Sequence, residues 1–186
     1  MQNMSEGYHN WTINVTDISG LSFMAEWRYF TVDLSPGAIN LTGPPNGTTI
    51  NTSTSQFNFT VIDRFSTSFT CNLSINNTIV DASFNANNGS ITTRTVSSLT
   101  DGHKLWNVTC KDHVNNTNSS VAYFLNISVP PTVSLLSPTD GAPTNFQSLN
   151  FTYTPTDNSN FSKCEFIVDG LMNFTNTSDI FNVFPQ

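Results

Sequence analysis

Charge is scarce in this chain, and its scarcity excludes whole classes of function. Lys and Arg number 6 and Asp and Glu 13, so charged residues make up 10% of the 186, against roughly a quarter in soluble proteins. The net charge of -7 reflects too few basic residues rather than an acidic run. No basic patch exists to neutralise phosphates, which argues against nucleic acid as a partner. Histidine occurs three times and cysteine three times, in no metal-ligand spacing. No apolar run approaches the eighteen or so residues of a membrane span, and MQNMSEGYHNW has no basic region followed by an apolar stretch, so it is not a secretory signal. Also missing are G-x-S-x-G, paired catalytic carboxylates and a phosphate-cradling glycine loop. Neither catalysis nor a cofactor is expected.

Polar, uncharged residues fill the gap: 25 Asn and 48 Ser or Thr, with 15 Phe dominating the aromatics. The chain also repeats itself, and the repeat organises everything else. SEGYHNWTINVTD (5 to 17) aligns without a gap on TDGHKLWNVTCKD (100 to 112), pairing Gly7 with Gly102, Trp11 with Trp106 and Asp17 with Asp112. YFTVDLSPGAINLTGPPNG (29 to 47) aligns on YFLNISVPPTVSLLSPTDG (123 to 141), FNFTV (57 to 61) on LNFTY (149 to 153), and CNLSINN (71 to 77) on CEFIVDG (164 to 170). The period, 92 to 95 residues, is the size of one small β-sandwich. Residues 1–33 then form the C-terminal part of one repeat, 34–128 a complete repeat, and 129–186 the N-terminal part of a third. The partial pieces add up to about one more repeat.

Within the complete repeat, short alternating runs bounded by Gly, Pro and Asn predict strands near 38–42, 56–62, 69–76, 78–84, 90–97, 104–111 and 120–128. Turns are expected at PPNG (44 to 47), NANNG (85 to 89), DHVNN (112 to 116) and DISG (17 to 20). Seven strands without helical periodicity predict an all-β, two-sheet sandwich. Trp11, Ile13 and Val15 share one strand parity, as do Trp106 and Val108, and are read as inward core, with Asn10 and Asn14 outward. His9 and His103 lie near tryptophans at strand starts and are read as structural or surface residues. Asp63, Asp101, Asp112, Asp157 and Asp169 sit at turns, where carboxylates bond backbone amides. A loop calcium site at Asp101 or Asp112 is the lesser alternative, because no single segment carries the needed cluster of oxygen ligands.

LTDGHKLWNVTCKD and SEGYHNWTINVTD resemble the strand-F signature of immunoglobulin-like repeats in prokaryotic surface proteins, roughly L, D, G, x, aromatic or His, x, W, x, V, x, C/A, x, D. PPTVSLLSPTDG resembles the first strand and turn of the same modules. The Asn-rich version with paired cysteines is similar to repeats of large archaeal surface proteins. The resemblance implies tandem immunoglobulin-like sandwiches of about 93 residues. In that strand order Cys71 and Cys110 are neighbours in one sheet, which implies a disulfide; two buried thiols are the alternative. Cys164 occupies the place of Cys71 in the third repeat and has no partner in this chain. If the next polypeptide segment continues the repeat, a Cys about 39 residues after Cys164 is expected to pair with it, and the odd cysteine favours such a longer parent chain; Val15 stands where the complete repeat has Cys110, so a head completed instead by the tail of another copy sets Val15 against Cys164, where no bond forms.

Asn-x-Ser/Thr triplets occur at Asn3, Asn10, Asn14, Asn40, Asn46, Asn51, Asn58, Asn72, Asn76, Asn88, Asn107, Asn115, Asn118, Asn126, Asn150, Asn160, Asn173 and Asn176, eighteen in all. Random order gives about 6 or 7. Strand alternation explains part of the excess, because Asn-apolar-Thr is the simplest polar-out, apolar-in segment. The loop triplets at 46, 51, 76, 88, 115, 118 and 176 have no inward residue to explain them. Covalent N-glycans are therefore expected, with strand patterning alone as the alternative. An extracellular, cell-surface location follows, and with it a chain whose export signal lies elsewhere. The expected role is structural: a repeat unit of a glycosylated filament, stalk or coat, partnered by copies of itself or adjoining repeats. The alternatives are an adhesin or ligand-binding module, and a spacer of an exported enzyme.

Overall fold

The computed structural model describes residues 3–145 and 149–176, with the side chains of 172–176 outside that description. Among the described residues every regular element is a strand. In chain order they are β1 (Gly7–Trp11), β2 (Asn14–Thr16), β3 (Ser22–Met24), β4 (Arg28–Val32), β5 (Ala38–Gly43) and β6 (Thr48–Ile50). Next come β7 (Ser55–Ile62), β8 (Ser68–Ile75), β9 (Thr78–Asn87), β10 (Ile91–Val96), β11 (Gly102–Lys111) and β12 (Thr117–Ser119). The last are β13 (Tyr123–Ile127), β14 (Thr132–Ser137), β15 (Thr152–Thr156), β16 (Cys164–Val168) and β17 (Leu171–Asn176). By density of internal packing the chain divides into two units, one of residues 1–45, 56–94 and 105–123, the other of 46–55, 95–104 and 124–186.

The first unit holds a two-sheet sandwich. One sheet has the order β10-β7-β5, and the facing sheet runs β11-β8-β9 with β12 also on β11. Strict alternation in the sequence sets which side chains meet between them. Phe57, Phe59 and Val61 of β7 are fully buried, as are Cys71 and Leu73 of β8 and Trp106 and Val108 of β11. Trp106 packs edge-on against Phe57 with ring centroids 5.0 Å apart, and Phe59 meets Phe84 at 6.1 Å. Gly37 admits no larger residue, since a Cβ there would lie 2.7 Å from the Phe69 ring and 2.8 Å from Val61. The two-sheet sandwich expected from the strand alternation is present in this packing.

Turn chemistry explains the connections. Asn76 and Asn77, at φ 50° and 63°, make the two-residue turn from β8 to β9 that matches the twist of a hairpin. The turn expected over residues 85–89 is shorter in the structure. Asn85 to Asn87 still belong to β9, and the chain reverses at Asn88 and Gly89, where Gly89 takes φ 70°. The strand expected over 120–128 begins at Tyr123, because Ser120 turns its hydroxyl to the Val108 amide and to Val121 O, and the preceding residues pair separately as β12. β6 escapes prediction: three residues, Thr48 to Ile50, are too few to show a period, and in the second unit they pair in parallel with β13.

The repeat in the sequence recurs in the backbone. β14 pairs with β15 as β5 pairs with β7, each with a register shift, between Leu41 and Gly43 in one pair and between Leu135 and Ser137 in the other. Leu41 faces Phe59 and Leu135 faces Tyr153, so the equivalent of 57–61 is 151–155 rather than 149–153. The sequence alignment is two residues out, which preserves strand parity and so leaves the inward face unchanged. β16 and β17 copy the end of β8 and the start of β9, with Asp169 and Gly170 in the positive-φ turn positions of Asn76 and Asn77 and a register shift at the matching place.

Candidate functional site

Residues 7–32 copy residues 102–127, and the copy extends to single hydrogen bonds. Asp17 Oδ1 accepts the Ser19 and Leu21 amides at 2.8 and 2.9 Å; Asp112 Oδ1 accepts the Val114 and Asn116 amides at 2.9 and 2.8 Å. β2 pairs with β3 with Val15 opposite Phe23, as β11 pairs with β12 with Cys110 opposite Asn118. Gly7 and Gly102 both take positive φ at the strand start, 139° and 101°. A local sequence of the same turn and strand chemistry has folded the same way twice.

Burial separates the two copies. Trp106 is 0% exposed, whereas Trp11 is 50% exposed, with Ile13 at 54% and Val15 at 61%. The expectation that Trp11, Ile13 and Val15 form core fails here. Among the described residues β1 pairs only with β4 and β2 only with β3, and no second sheet covers their apolar face. Parity makes a residue available for a core, but an opposing sheet makes the core. The first segment is nevertheless anchored to its unit. Tyr8 packs edge-on against Phe65 at 5.4 Å, Ser35 donates to Glu6 at 2.6 Å, and Asn116 Nδ2 donates to the Asp33 carbonyl at 3.2 Å.

The second unit carries an open apolar groove of about 680 Å³ between the hairpins β14·β15 and β16·β17. Val133, Leu135, Phe151, Phe161, Phe166 and Val168 are among its walls. Val133 and Leu135 are 61% and 83% exposed, while Leu41, the equivalent of Leu135 in the intact sandwich, is 5% exposed. Phe161 in the walls carries no repeat signal, so the sequence did not point to it. The segment is tethered at its start, where Asp101 Oδ1 accepts the Val129 amide at 3.0 Å, and Asn158 Nδ2 donates to Leu99 O at 3.0 Å. Asn158 was missed for the same reason: its bond has no counterpart elsewhere in the repeat.

The Val129 amide holds the Asp101 carboxyl below the ordinary aspartate value, and bonds from Asn158 and Ser159 and the Lys104 charge add to this against the cost of burial. The charged form therefore favours the folded state. The tether is at full strength above the ordinary aspartate pKa of about 4 and is lost as pH falls through the lower folded value. Hydrogen exchange at the Val129 amide is expected to hold constant from neutral pH down to about 5 once corrected for intrinsic rate. Asp101→Ala is expected to speed it several-fold at neutral pH; an unchanged protection factor would show that the carboxylate is no tether.

The remaining turn carboxylates and histidines also serve the fold. Asp112 is buried, and its Oδ2 accepts Asn116 Nδ2 at 2.9 Å, so both oxygens are engaged by its own loop. Asp63 Oδ1 accepts the Phe65 and Ser66 amides. His9 stacks on Phe30 at 5.3 Å and His103 lies against Phe124 at 5.3 Å. His113 Nδ1 meets the buried Ser66 hydroxyl at 2.9 Å.

Cys71 and Cys110 face each other across β8 and β11 and are joined by a disulfide, with Cα atoms 4.1 Å apart and both residues buried. Cys164 is a half-buried free thiol. Of the acceptor asparagines, Asn3, Asn10, Asn14, Asn40, Asn46, Asn51, Asn76, Asn115, Asn150 and Asn160 are exposed, and Asn58, Asn72, Asn88, Asn107, Asn118 and Asn126 are half-buried. A glycan is carried on Nδ2, and that atom is already engaged in Asn88, bonded to Asp63 O at 2.7 Å, and in Asn118, bonded to Gly37 O at 3.0 Å. Those two sites trace to turn and strand-end structure that a triplet does not reveal. The side chains of Asn173 and Asn176 lie outside the described residues.

Neither a family model nor a curated protein matches this chain. Among solved structures, one of fibronectin(III)-like modules of Clostridium thermocellum CbhA is similar, with 14% identity, a TM-score of 0.40, and coverage of 80% of this chain and 78% of that one.

Proposed function

We propose that this chain is a structural repeat unit of an extracellular, N-glycosylated surface filament, stalk or coat, in which split immunoglobulin-like sandwiches are completed between units. The observation that carries the reading is the pair of uncovered apolar faces, one on residues 7–32 and one on residues 131–168. Contiguous apolar surface of this kind marks an interaction site on a soluble protein. The equivalents of both faces are buried within the intact sandwich. A buried disulfide suits an oxidising compartment. Exposed acceptor triplets on a surface poor in charge suit a protein wetted by sugar, and glycans beside strand edges block unwanted pairing.

Two measurements on protein exported from an N-glycosylating host test this reading. Intact mass is expected above the 20.5 kDa of the bare polypeptide, and sedimentation velocity is expected to show species larger than one chain that grow with concentration. A bare-mass product that sediments as one chain at every concentration would overturn it.

A further inference from the structure

The acceptor triplets obey one sequence rule, yet the fold uses their side-chain amides in two opposite ways. Asn88 and Asn118 give Nδ2 to the fold. Asn88 Oδ1 accepts the Asp63 amide at 3.0 Å while its Nδ2 donates to Asp63 O at 2.7 Å, so this side chain replaces a rung of backbone ladder. Asn118 Nδ2 donates to Gly37 O at 3.0 Å. The third residue of that triplet is engaged as well, since the Ser120 hydroxyl accepts the Val108 amide at 3.1 Å and donates to Val121 O at 2.9 Å. Packing alone accounts for both ends of the Asn118 triplet.

Asn46 and Asn76 do the reverse. Asn46 Oδ1 accepts the Phe124 amide at 2.8 Å, and the Gly47 amide donates to Phe124 O at 2.7 Å. Asn76 Oδ1 accepts the Leu105 amide at 2.9 Å, and the Asn76 amide donates to Leu105 O at 2.7 Å. In each case one distant residue is held by both of its backbone groups, the side-chain carbonyl is fixed in direction, and Nδ2 makes no hydrogen bond among the described residues. Both asparagines are exposed, and so is Thr78, which completes the second triplet and whose hydroxyl no bond of the fold engages among the described residues. Asn72 also holds a backbone amide through Oδ1, that of Ser83 at 2.7 Å, but it lies half-buried on β8.

We infer that the fold selects among the triplets: Asn46 and Asn76 carry sugar, and Asn88 and Asn118 are structural asparagines that stay bare in the folded chain. This rests on the N-glycosylation in the proposed function above and adds to it which sites are used and why. The co-substrate is an oligosaccharide activated as a glycosyl phosphate. Nδ2 forms a bond to the anomeric carbon, the bond from that carbon to the phosphate oxygen breaks with its electron pair going to the phosphate, and the released phosphate takes up the proton that Nδ2 loses. Oδ1 is untouched by the transfer, so the bonds to Phe124 and Leu105 survive it and the sugar leaves the surface from a fixed amide. At Asn88 and Asn118 the same step needs a nitrogen already turned onto a part-buried carbonyl, and reaching it strips that carbonyl of its donor.

The test transfers sugar in vitro to the full chain, once native and once reduced, alkylated and unfolded. The enzyme is a single-subunit oligosaccharyltransferase that accepts Asn-x-Ser/Thr, supplied with its lipid-linked donor, and peptide mass spectrometry reads the occupancy of each site. In the native chain Asn46 and Asn76 are expected to exceed Asn88 and Asn118 by about tenfold, and in the unfolded chain that gap is expected to close. Equal occupancy of the four sites in the native chain, or the same gap in both forms, would overturn selection by the fold and leave the glycoprotein reading standing. Hydrogen exchange at the Leu105 amide gives a second readout. Thr78→Ala is expected to abolish sugar at Asn76 and leave Leu105 as protected as in the glycosylated wild type, because Oδ1 holds the amide in both; protection lost on glycosylation would overturn the role given to Oδ1. A chain that takes no sugar at any site in either form would remove this inference and the glycoprotein reading together.

Discussion

Trp106→Ala is expected to cost about 3 to 5 kcal/mol of stability, while Trp11→Ala costs less than about 1 kcal/mol in dilute monomer. The two residues sit at equivalent places in the repeat, in strands of the same conformation. Trp106 is fully buried between two sheets, against Phe57 at 5.0 Å and Tyr123 at 5.9 Å, and its removal leaves a cavity that close-packed neighbours do not fill. Trp11 is half exposed, so its truncation gives up little burial and opens no cavity. Urea unfolding followed by circular dichroism at low micromolar concentration makes the comparison. A Trp11→Ala penalty as large as that of Trp106→Ala would show that the β1 face is covered in the isolated chain.

Loss of the Cys71–Cys110 bond is the second large effect, and its source is the unfolded chain. The bond joins residues 39 apart, and restricting a loop of that size lowers the entropy of the denatured state by an amount equivalent to about 4 kcal/mol in the chain-entropy treatment. Cys71→Ala with Cys110→Ala is expected to lower the transition midpoint of the sandwich by about 10 °C or more. Both sulfurs are buried, so reductant acts slowly on the native protein and quickly once it opens. Calorimetry with and without reductant on the wild type, set beside the double variant, separates the bond from the packing of its atoms. A wild type with the same midpoint in both conditions would mean that the bond adds nothing.

Much of the fold was legible because it is local. Alternation placed β5, β7, β8, β10 and β11 within a residue or two of their observed bounds, and it assigned Trp106 and Val108 to a buried face. Asp17 and Asp112 announced the same loop in both copies, since an aspartate two residues before an amide bonds it regardless of what lies above. β6 and β12 were not legible: each has three residues and owes its strand character to a neighbour far along the chain. Asn118 reads as an acceptor triplet, yet its Nδ2 is given to Gly37 O, a residue 81 positions away.

The sequence by itself determined the all-β class, the repeat, the inward parity of each strand and the conformation of residues 7–32, because each follows from side-chain period and turn chemistry within a few residues. Tertiary structure alone decided which inward faces are buried. Trp11 and Trp106 carry the same local instructions and end half exposed and fully buried, since burial requires a second sheet that strand parity requests and only long-range pairing supplies. The same difference leaves Val15 and Leu135 open to water, and among the described residues β16 pairs with β17 alone.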